Sequence, residues 1–317
     1  MSVVCCVCLL FVNLIVLLIA LTYTTQVKSL LEISALQNNR TYIRNEQELL
    51  EKLNNLIQGG SNHLQIITDF DKTLTADPLD SGKIVYNSYE MLRLCPSIPQ
   101  TYREKDLKLL DTFKPIESNP NLSAEEKSKL MVEWYSASHY LLRGLKFPRE
   151  ELEDIARNAS SGFRESVHIL VDWTQANDVP LIVLSSGLGD AVVASLKAAR
   201  LLTPNVKVIS NFLKLDNDDI ITGMKGEPIH IYNKNEASLM NTEYYETLKD
   251  RTNVILMGDS LGDANMADGV NKYTTVIKIG FLSEKQRNNL QTYLNNFDIV
   301  LVNDQTMDVV NAIVNVL

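Results

Sequence analysis

Residues 64–75, LQIITDFDKTLT, constrain this chain more than any other stretch. A short apolar, β-branched run ends in two aspartates one residue apart, Asp69 and Asp71. Its length and composition predict a buried parallel strand over 64–68. Asp69 then sits where the strand leaves the sheet, the edge at which open α/β sheets bind ligands. Two carboxylates at that edge repel each other unless one is protonated or a cation lies between them. Mg²⁺, a hard cation that takes oxygen ligands, meets that need. A D-x-D after a strand is common, so the weight rests on what the rest of the chain adds.

The chain has 317 residues, 45% of them hydrophobic, and a net charge of −9. No basic stripe is visible, which argues against a nucleic-acid polymer as partner. A small phosphorylated molecule remains open, because it needs only local positive charge. Cys5, Cys6 and Cys8 lie in an apolar N-terminal segment, leaving Cys95 alone in the body. No disulfide can form within the body, as in a reducing compartment. Residues 3–22 carry no charge and are long enough to span a bilayer as a helix. Lys28, Arg40 and Arg44 follow, and the positive-inside tendency puts the body in the cytosol. The expectation is an anchor within residues 1–29 that holds a cytoplasmic catalytic body to a membrane such as the endoplasmic reticulum. A cleaved signal peptide is the rival reading.

Residues 23–45 read as a linker, and 46–57 as an amphipathic helix with Leu49, Leu50, Leu53 and Ile57 on one face. Gly59 and Gly60 end it. From about 77 to 162 no convincing strand occurs. Helices are expected over 101–113 and 124–145, the latter with Ser123 as N-cap and Glu126 completing a capping box. Strands resume at 179–184, 206–211, 253–257, 274–279 and 298–302, with helices expected over 165–177, 191–201, 283–297 and 307–316. Alternation of this kind predicts a parallel, doubly wound sheet. The expected organisation is a core of residues 30–76 and 163–317, interrupted by a helical unit over 77–162.

Three further segments carry chemistry. Ser185, Ser186 and Gly187 follow a strand and open a helix, a place where hydroxyls and free N–H groups bind phosphate. Lys225, between Gly223 and Gly226, can approach a phosphate from a loop. Asp259 follows another apolar strand, with Asp263 four residues on. Asp259 is placed to complete a cation site with Asp69, and Asp263 to hold a water ligand or orient Lys225. The set suits attack on a phosphate. Asp69 is the expected nucleophile, forming an aspartyl-phosphate. Asp71 is the expected proton donor and later base. Mg²⁺, Ser185 and Lys225 would neutralise the phosphate oxygens.

DFDKT, the SSG turn, the loop lysine and GDSLGD, in this order, resemble the four motifs of the haloacid dehalogenase superfamily. The resemblance implies a Rossmann-like core with a cap inserted after the first motif. LQIITDFDKTLT, MVEWY, SNF, MKGEPIHIYNK, GDSLGD and MADGV together resemble the type III, or pyrimidine, 5′-nucleotidases, from about residue 45 to the C-terminus. That family implies Mg²⁺ held by Asp69, the carbonyl of Asp71 and Asp259. It implies phosphate held by Ser185, Ser186 and Lys225, and a nucleobase contacted by Glu117 and Ser138. It also implies hydrolysis of nucleoside 5′-monophosphates carrying a pyrimidine or 7-methylguanine base. Phe113, Trp134 and Tyr135 lie in the cap, where an aromatic can stack on a base or simply form cap core.

Two other readings stand beside this one. A phosphoserine phosphatase shares the SSG turn and a small helical cap, but its amino-acid substrate needs paired charges there. A membrane-tethered binding protein with an inactive core is disfavoured by the complete catalytic set. His63 and His230 lie near motifs and are expected only to pack. A monomer is the expected state.

Overall fold

The computed structural model describes residues 26–117, 119, 121–235, 246–268 and 273–317. The expected anchor, residues 3–22, lies outside them. Among the described residues no helix is long and apolar enough to cross a membrane. Val27 and Leu30 are buried, and the Val27 N–H donates to Asn54 Oδ1 at 2.9 Å, so the packed body takes in residues ahead of 30.

Among the described residues eight strands form one sheet: β1 (Thr41–Ile43), β2 (Leu64–Thr68), β3 (Leu181–Leu188), β4 (Val206–Leu215), β5 (Ile221–Lys225), β6 (Asn253–Gly258), β7 (Thr275–Leu282) and β8 (Ile299–Val302). Their order is β1-β8-β7-β6-β2-β3-β4-β5. The six inner strands run parallel, while the edge strands β1 and β5 pair antiparallel to β8 and β4. All residues of β2 and β6 are buried, because both faces of a parallel sheet are covered. Ile66 packs into the core on one side and Ile67 into the core on the other, as period-two alternation requires.

Helix α1 (Glu46–Gly59) is capped by Asn45, whose side chain accepts from the Gln47 and Glu48 N–H groups. It buries Leu49, Leu53, Leu56 and Ile57 against the sheet. Five helices lie between β2 and β3: α2 (Pro78–Ser81), α3 (Ser88–Leu94), α4 (Gln100–Glu117), α5 (Ala124–Leu142) and α6 (Arg149–Asn158). This is the expected helical insertion on a Rossmann-like core. It does not form a separate globule. Met91, Leu92, Leu142 and Leu152 share one apolar cluster with Leu188, Ala191 and Leu213 of the core. The remaining helices among the described residues are α7 (Val167–Ala176), α8 (Gly189–Ala198), α9 (Leu290–Leu294) and α10 (Asp308–Val314).

Three expectations need correction. The 23–45 linker contains β1, too short at three residues to show a period. The helix expected over 283–297 is a 3₁₀ turn, Glu284–Asn289, followed by α9, because EKQRNN offers no apolar face. The glycine-flanked segment at 222–226 is largely strand, since β4 runs on past Asn211 and turns back as β5.

The chain passes from β2 outward through β3 to β5, then returns to β6 on the other side of β2. The switch point therefore falls between β2 and β6, and a crevice opens at their carboxyl ends.

Candidate active site

Asp69 and Asp259 leave adjacent strands at that crevice. Thr68 pairs with Met257, and the Asp69 N–H donates to the Met257 carbonyl at 3.0 Å. Beyond Asp69 the chain turns tightly. The Phe70 carbonyl accepts from the N–H groups of Leu74 at 3.0 Å and Thr75 at 3.1 Å, and Lys72 takes a left-handed φ of 62°. The turn brings Asp71 within the electrostatic reach of Lys234 and Asp259. Asp71 Oδ2 accepts from Ser88 Oγ at 3.2 Å, and burial pushes its carboxyl up to about 6.

At the end of β6, Asp263 folds back on its own loop. Its Oδ2 accepts from the Asp259 N–H at 3.1 Å, the Ser260 N–H at 2.9 Å and Ser260 Oγ at 2.8 Å. The approach demands Gly258, because a Cβ there would stand 2.2 Å from Asp263 Cβ. Both Asp263 oxygens are engaged, Oδ1 by Lys234 at 2.9 Å. Asp263 thus braces both the Asp259 loop and Lys234.

The lysine at this centre is Lys234. Its Nζ bonds Asp69 Oδ1 as well as Asp263, and the side chain is buried. Burial works against the ammonium, but Asp263 and Asp69 outweigh it and hold its pKa above the ordinary lysine value. Lys225, the lysine expected from the sequence, is instead exposed at the end of β5, with Nζ 5.9 Å from the Phe212 ring centroid. Asn211 explains the placement of Lys234. Its amide donates to the carbonyls of Ser186 and Ile229 and accepts from the Ile229 N–H, each at 2.8 Å. The loop after β5 is thereby stapled to the SSG turn and delivers Lys234 five residues later.

At the end of β3, Ser185 is buried and its Oγ accepts from the Gly187 N–H at 3.0 Å. Burial pushes the hydroxyl of Tyr135, on the insertion, up to about 12, with Ser186 pulling the other way, so it keeps its proton near neutrality.

Beyond Tyr135 lies an aromatic wall. Phe113 and Trp134 are parallel to within 4°, their centroids 6.0 Å apart, and Trp134 meets Tyr135 edge-on at 5.5 Å. Glu117 ends α4 half-buried. Its carboxylate pairs with Lys114, and its carbonyl accepts from Tyr232 Oη at 2.9 Å. Ser138 is buried, and its hydroxyl donates to Asp106, which also pairs with Arg93 at 2.8 Å. The structure thus gives the Ser138 proton to Asp106. His63 is exposed and 3.0 Å from the Asp250 carbonyl, while His230 packs against Tyr135 and Tyr232.

Asp69, Asp259 and Asp263 offer oxygens within 4.8 Å of one another. Burial raises Asp69 well above the usual carboxylate range, Lys234 opposing and Asp263 and Asp259 adding. Asp259 is pushed up to about 7 by burial and then by Asp263, with Lys72 and Lys234 pulling the other way. Three crowded carboxylates with one bonded ammonium are short of positive charge, and the all-oxygen donor set fits a hard divalent cation.

The family model described as pyrimidine 5′-nucleotidase (UMPH-1) matches residues 72–317. The chain belongs to the pyrimidine 5′-nucleotidase family. A 7-methylguanosine phosphate-specific 5′-nucleotidase of Drosophila melanogaster is 37% identical over 287 residues, covering 90% of each chain. The Homo sapiens protein of the same description is 35% identical over 282 residues, covering 89% of this chain and 94% of its own. The crystal structure of cytosolic 5′-nucleotidase IIIB bound to cytidine superposes with a TM-score of 0.87 at 37% identity, over 91% of this chain and 97% of that one. This chain is an enzyme, a 5′-nucleotidase with the haloacid dehalogenase fold.

Sequence reasoning about this nucleotidase missed Ser88 and Asn211 as contacts of the site, and looked to Lys225 where the structure brings Lys234 to the carboxylates. Nothing local marks Ser88, whose partners are 17 and 100 residues away. A signal for Lys234 did exist, since MKGEPIHIYNK holds two lysines and the glycines drew attention to the first.

Proposed function

We propose that this enzyme hydrolyses nucleoside 5′-monophosphates through an aspartyl-phosphate on Asp69. The carrying observation is the convergence of Asp69, Asp71, Asp259, Ser185 and Lys234 at the ends of three adjacent strands. An Asp69 oxygen attacks phosphorus and the P–O5′ bond breaks, while Asp71 gives its proton to the leaving oxygen. Water then attacks phosphorus, losing a proton to Asp71, and the Asp69–phosphorus bond breaks. Lys234, Ser185 and Ser186 hold the phosphate oxygens, in place of the set with Lys225 that the motif suggested. Asp69, Asp259 and the Asp71 carbonyl would hold Mg²⁺, which when bound supplies positive charge facing the phosphate. Asp263 supports Lys234 and the Asp259 loop.

We assign the base to the aromatic wall and Glu117, with Ser138 acting through Asp106. The substrates favoured are cytidine and 7-methylguanosine monophosphates. Both bases present amino donors to a carboxylate, whereas uracil has a carbonyl at that edge. A cationic methylated purine also gains from the faces of Phe113 and Trp134. The names of the fly and human relatives and the cytidine in the IIIB structure agree with this pair. The reducing chemistry expected around the single body cysteine, and a Caenorhabditis elegans relative named as a putative cytosolic 5′-nucleotidase, support a cytoplasmic catalytic body.

The test is phosphate release by the full chain, with and without Mg²⁺, from CMP, UMP, 7-methyl-GMP, AMP and phosphoserine, with Asp69→Asn as control. The expected result is Mg²⁺-dependent turnover of CMP and 7-methyl-GMP, abolished in the variant. Turnover of phosphoserine alone would discard the substrate and keep the chemistry. Turnover surviving in Asp69→Asn would discard the nucleophile.

A further inference from the structure

Ser88 belongs to α3 of the insertion, yet its side chain is fully buried between two catalytic loops of the core. Its hydroxyl donates to Asp71 Oδ2 at 3.2 Å and accepts from the Leu188 N–H at 3.0 Å. Gly187 gives it room, since a Cβ there would meet Ser88 Oγ at 2.0 Å. A serine hydroxyl has a single proton. Committing that proton to Asp71 and a lone pair to Leu188 fixes the rotor in one setting. The other carboxyl oxygen, Asp71 Oδ1, is buried and has no hydrogen-bond partner among the described residues.

We propose that Ser88 is a positioning residue, which fixes the Asp71 carboxyl so that Oδ1 is the oxygen that gives and takes the proton. An oxygen that accepts a hydrogen bond is a poorer place for a proton than one that does not. The proton of the acid form therefore resides on Oδ1. It passes to the departing O5′ as the bond to phosphorus breaks, and a proton from the attacking water returns to the same oxygen. Since Ser88 comes from the insertion and Leu188 from the phosphate loop, Asp71 is held in register only while α3 is packed on the core. The inference rests on the reading of Asp71 as acid and base.

Ser88→Ala removes one oxygen and leaves the packing. The measurement is kcat/KM of the full chain with Mg²⁺ on CMP, phenyl phosphate and nitrophenyl phosphate. This ratio covers the steps up to departure of the leaving group. Nitrophenolate leaves without help, whereas phenolate and a nucleoside need the proton. The two aryl phosphates carry no base, so a disturbed base site cannot mimic the effect. Ser88→Ala is expected to lower kcat/KM on CMP and phenyl phosphate by about tenfold and on nitrophenyl phosphate by less than about twofold. Inhibition by orthovanadate, which reports the phosphate loop beside Leu188, is expected to stay within about twofold, as P–O contacts are untouched. An equal fall on both aryl phosphates, or none on phenyl phosphate, would overturn the inference. Asp71→Asn separates the two layers. If it lowers both aryl phosphates equally, the acid–base reading falls and takes Ser88 with it. If it discriminates and Ser88→Ala does not, only the role of Ser88 is refuted.

Discussion

Replacing Lys234 by Met, beside Lys225 by Met, sets the two candidate lysines against each other. Met keeps most of the length and apolar volume of the stem, so the change is mainly the lost charge. Lys234 Nζ is 2.9 Å from Asp263 and bonded to Asp69. At an effective dielectric of about 20, opposite charges roughly 3 Å apart attract by about 5 kcal/mol, and the cost of burying the ammonium offsets part of this. Deleting one partner of a buried pair costs about 3–5 kcal/mol. Asp69 is already poised to take a proton, its carboxyl being raised by burial, so the lower end is expected. Loss of a preorganised charge facing the phosphate lowers kcat by about 10²–10³-fold. Lys225 is exposed over Phe212, and its loss is expected to change stability by less than about 0.5 kcal/mol. Phosphate release from CMP gives the rates, and urea unfolding in chelator and in Mg²⁺ gives the stabilities. Mg²⁺ should restore part of the stability of Lys234→Met, because the freed carboxylates then have a cation. The reasoning is refuted if Lys225→Met is the slower enzyme, or if Lys234→Met keeps wild-type kcat.

Arg164 and His139 give two further tests. Arg164 is buried where the chain re-enters the core. Its guanidinium donates to the carbonyls of Thr73 at 2.8 Å, Lys72 at 2.5 Å and Asp304, and stacks 3.9 Å from the Phe281 centroid. Arg164→Met leaves those carbonyls without donors and should destabilise the protein by about 3–5 kcal/mol in urea unfolding; a loss under about 1 kcal/mol would show that the clamp is idle. His139 is buried with Nε2 2.8 Å from Tyr89 Oη, and burial holds its pKa down at about 4, against 6.5 for a free imidazole. Between these values the unfolded chain binds the proton and the folded one does not, so stability is full above about pH 6.5 and falls as pH drops toward 4. The difference corresponds to about 3 kcal/mol. Wild type should lose that much relative to His139→Gln between neutral pH and 4, and parallel stability profiles would contradict it.

What the sequence made legible follows from the range of the forces involved. β2 and β6 could be read because a strand buried on both faces is mostly apolar, and the acids that follow break that pattern abruptly. Capping is equally local, and Ser123 with Glu126 forms the expected box. Lys234 could not be read in the same way. Its partners are 165 and 29 residues away, and it arrives there through Asn211, which no spacing rule connects to it. Lys225 misled because Gly223 and Gly226 suggested a loop. The segment up to Lys225 instead pairs with β4, where Leu213 faces Met224 and Lys214 faces Gly223. Ser138, expected to contact a base, donates its hydroxyl to Asp106, a partner 32 residues away that no local pattern indicates.

The position of the insertion also has a physical reason. It leaves the core just after the turn that carries Asp71 and returns just before Arg164. The two crossings are tied together: Thr75 bridges Phe163, the Ala76 N–H donates to Gly162 at 2.8 Å, and the Arg164 N–H donates to Leu74 at 3.0 Å. A segment whose ends are already paired can vary in length and content without straining the strand it interrupts. The backbone of the catalytic turn is therefore held by the core, through Phe70 and Arg164, while the Asp71 carboxyl is bonded from the insertion by Ser88. What the insertion adds at the catalytic turn is a side chain that reaches back, Ser88 to Asp71. On the proposed reading, the aromatic wall selects the base and the turn that carries Asp71 does the chemistry. Substitutions in the aromatic wall should accordingly move KM between bases while leaving turnover of a small aryl phosphate unchanged, and a matching loss on that baseless substrate would show that the wall and the catalytic turn are one unit.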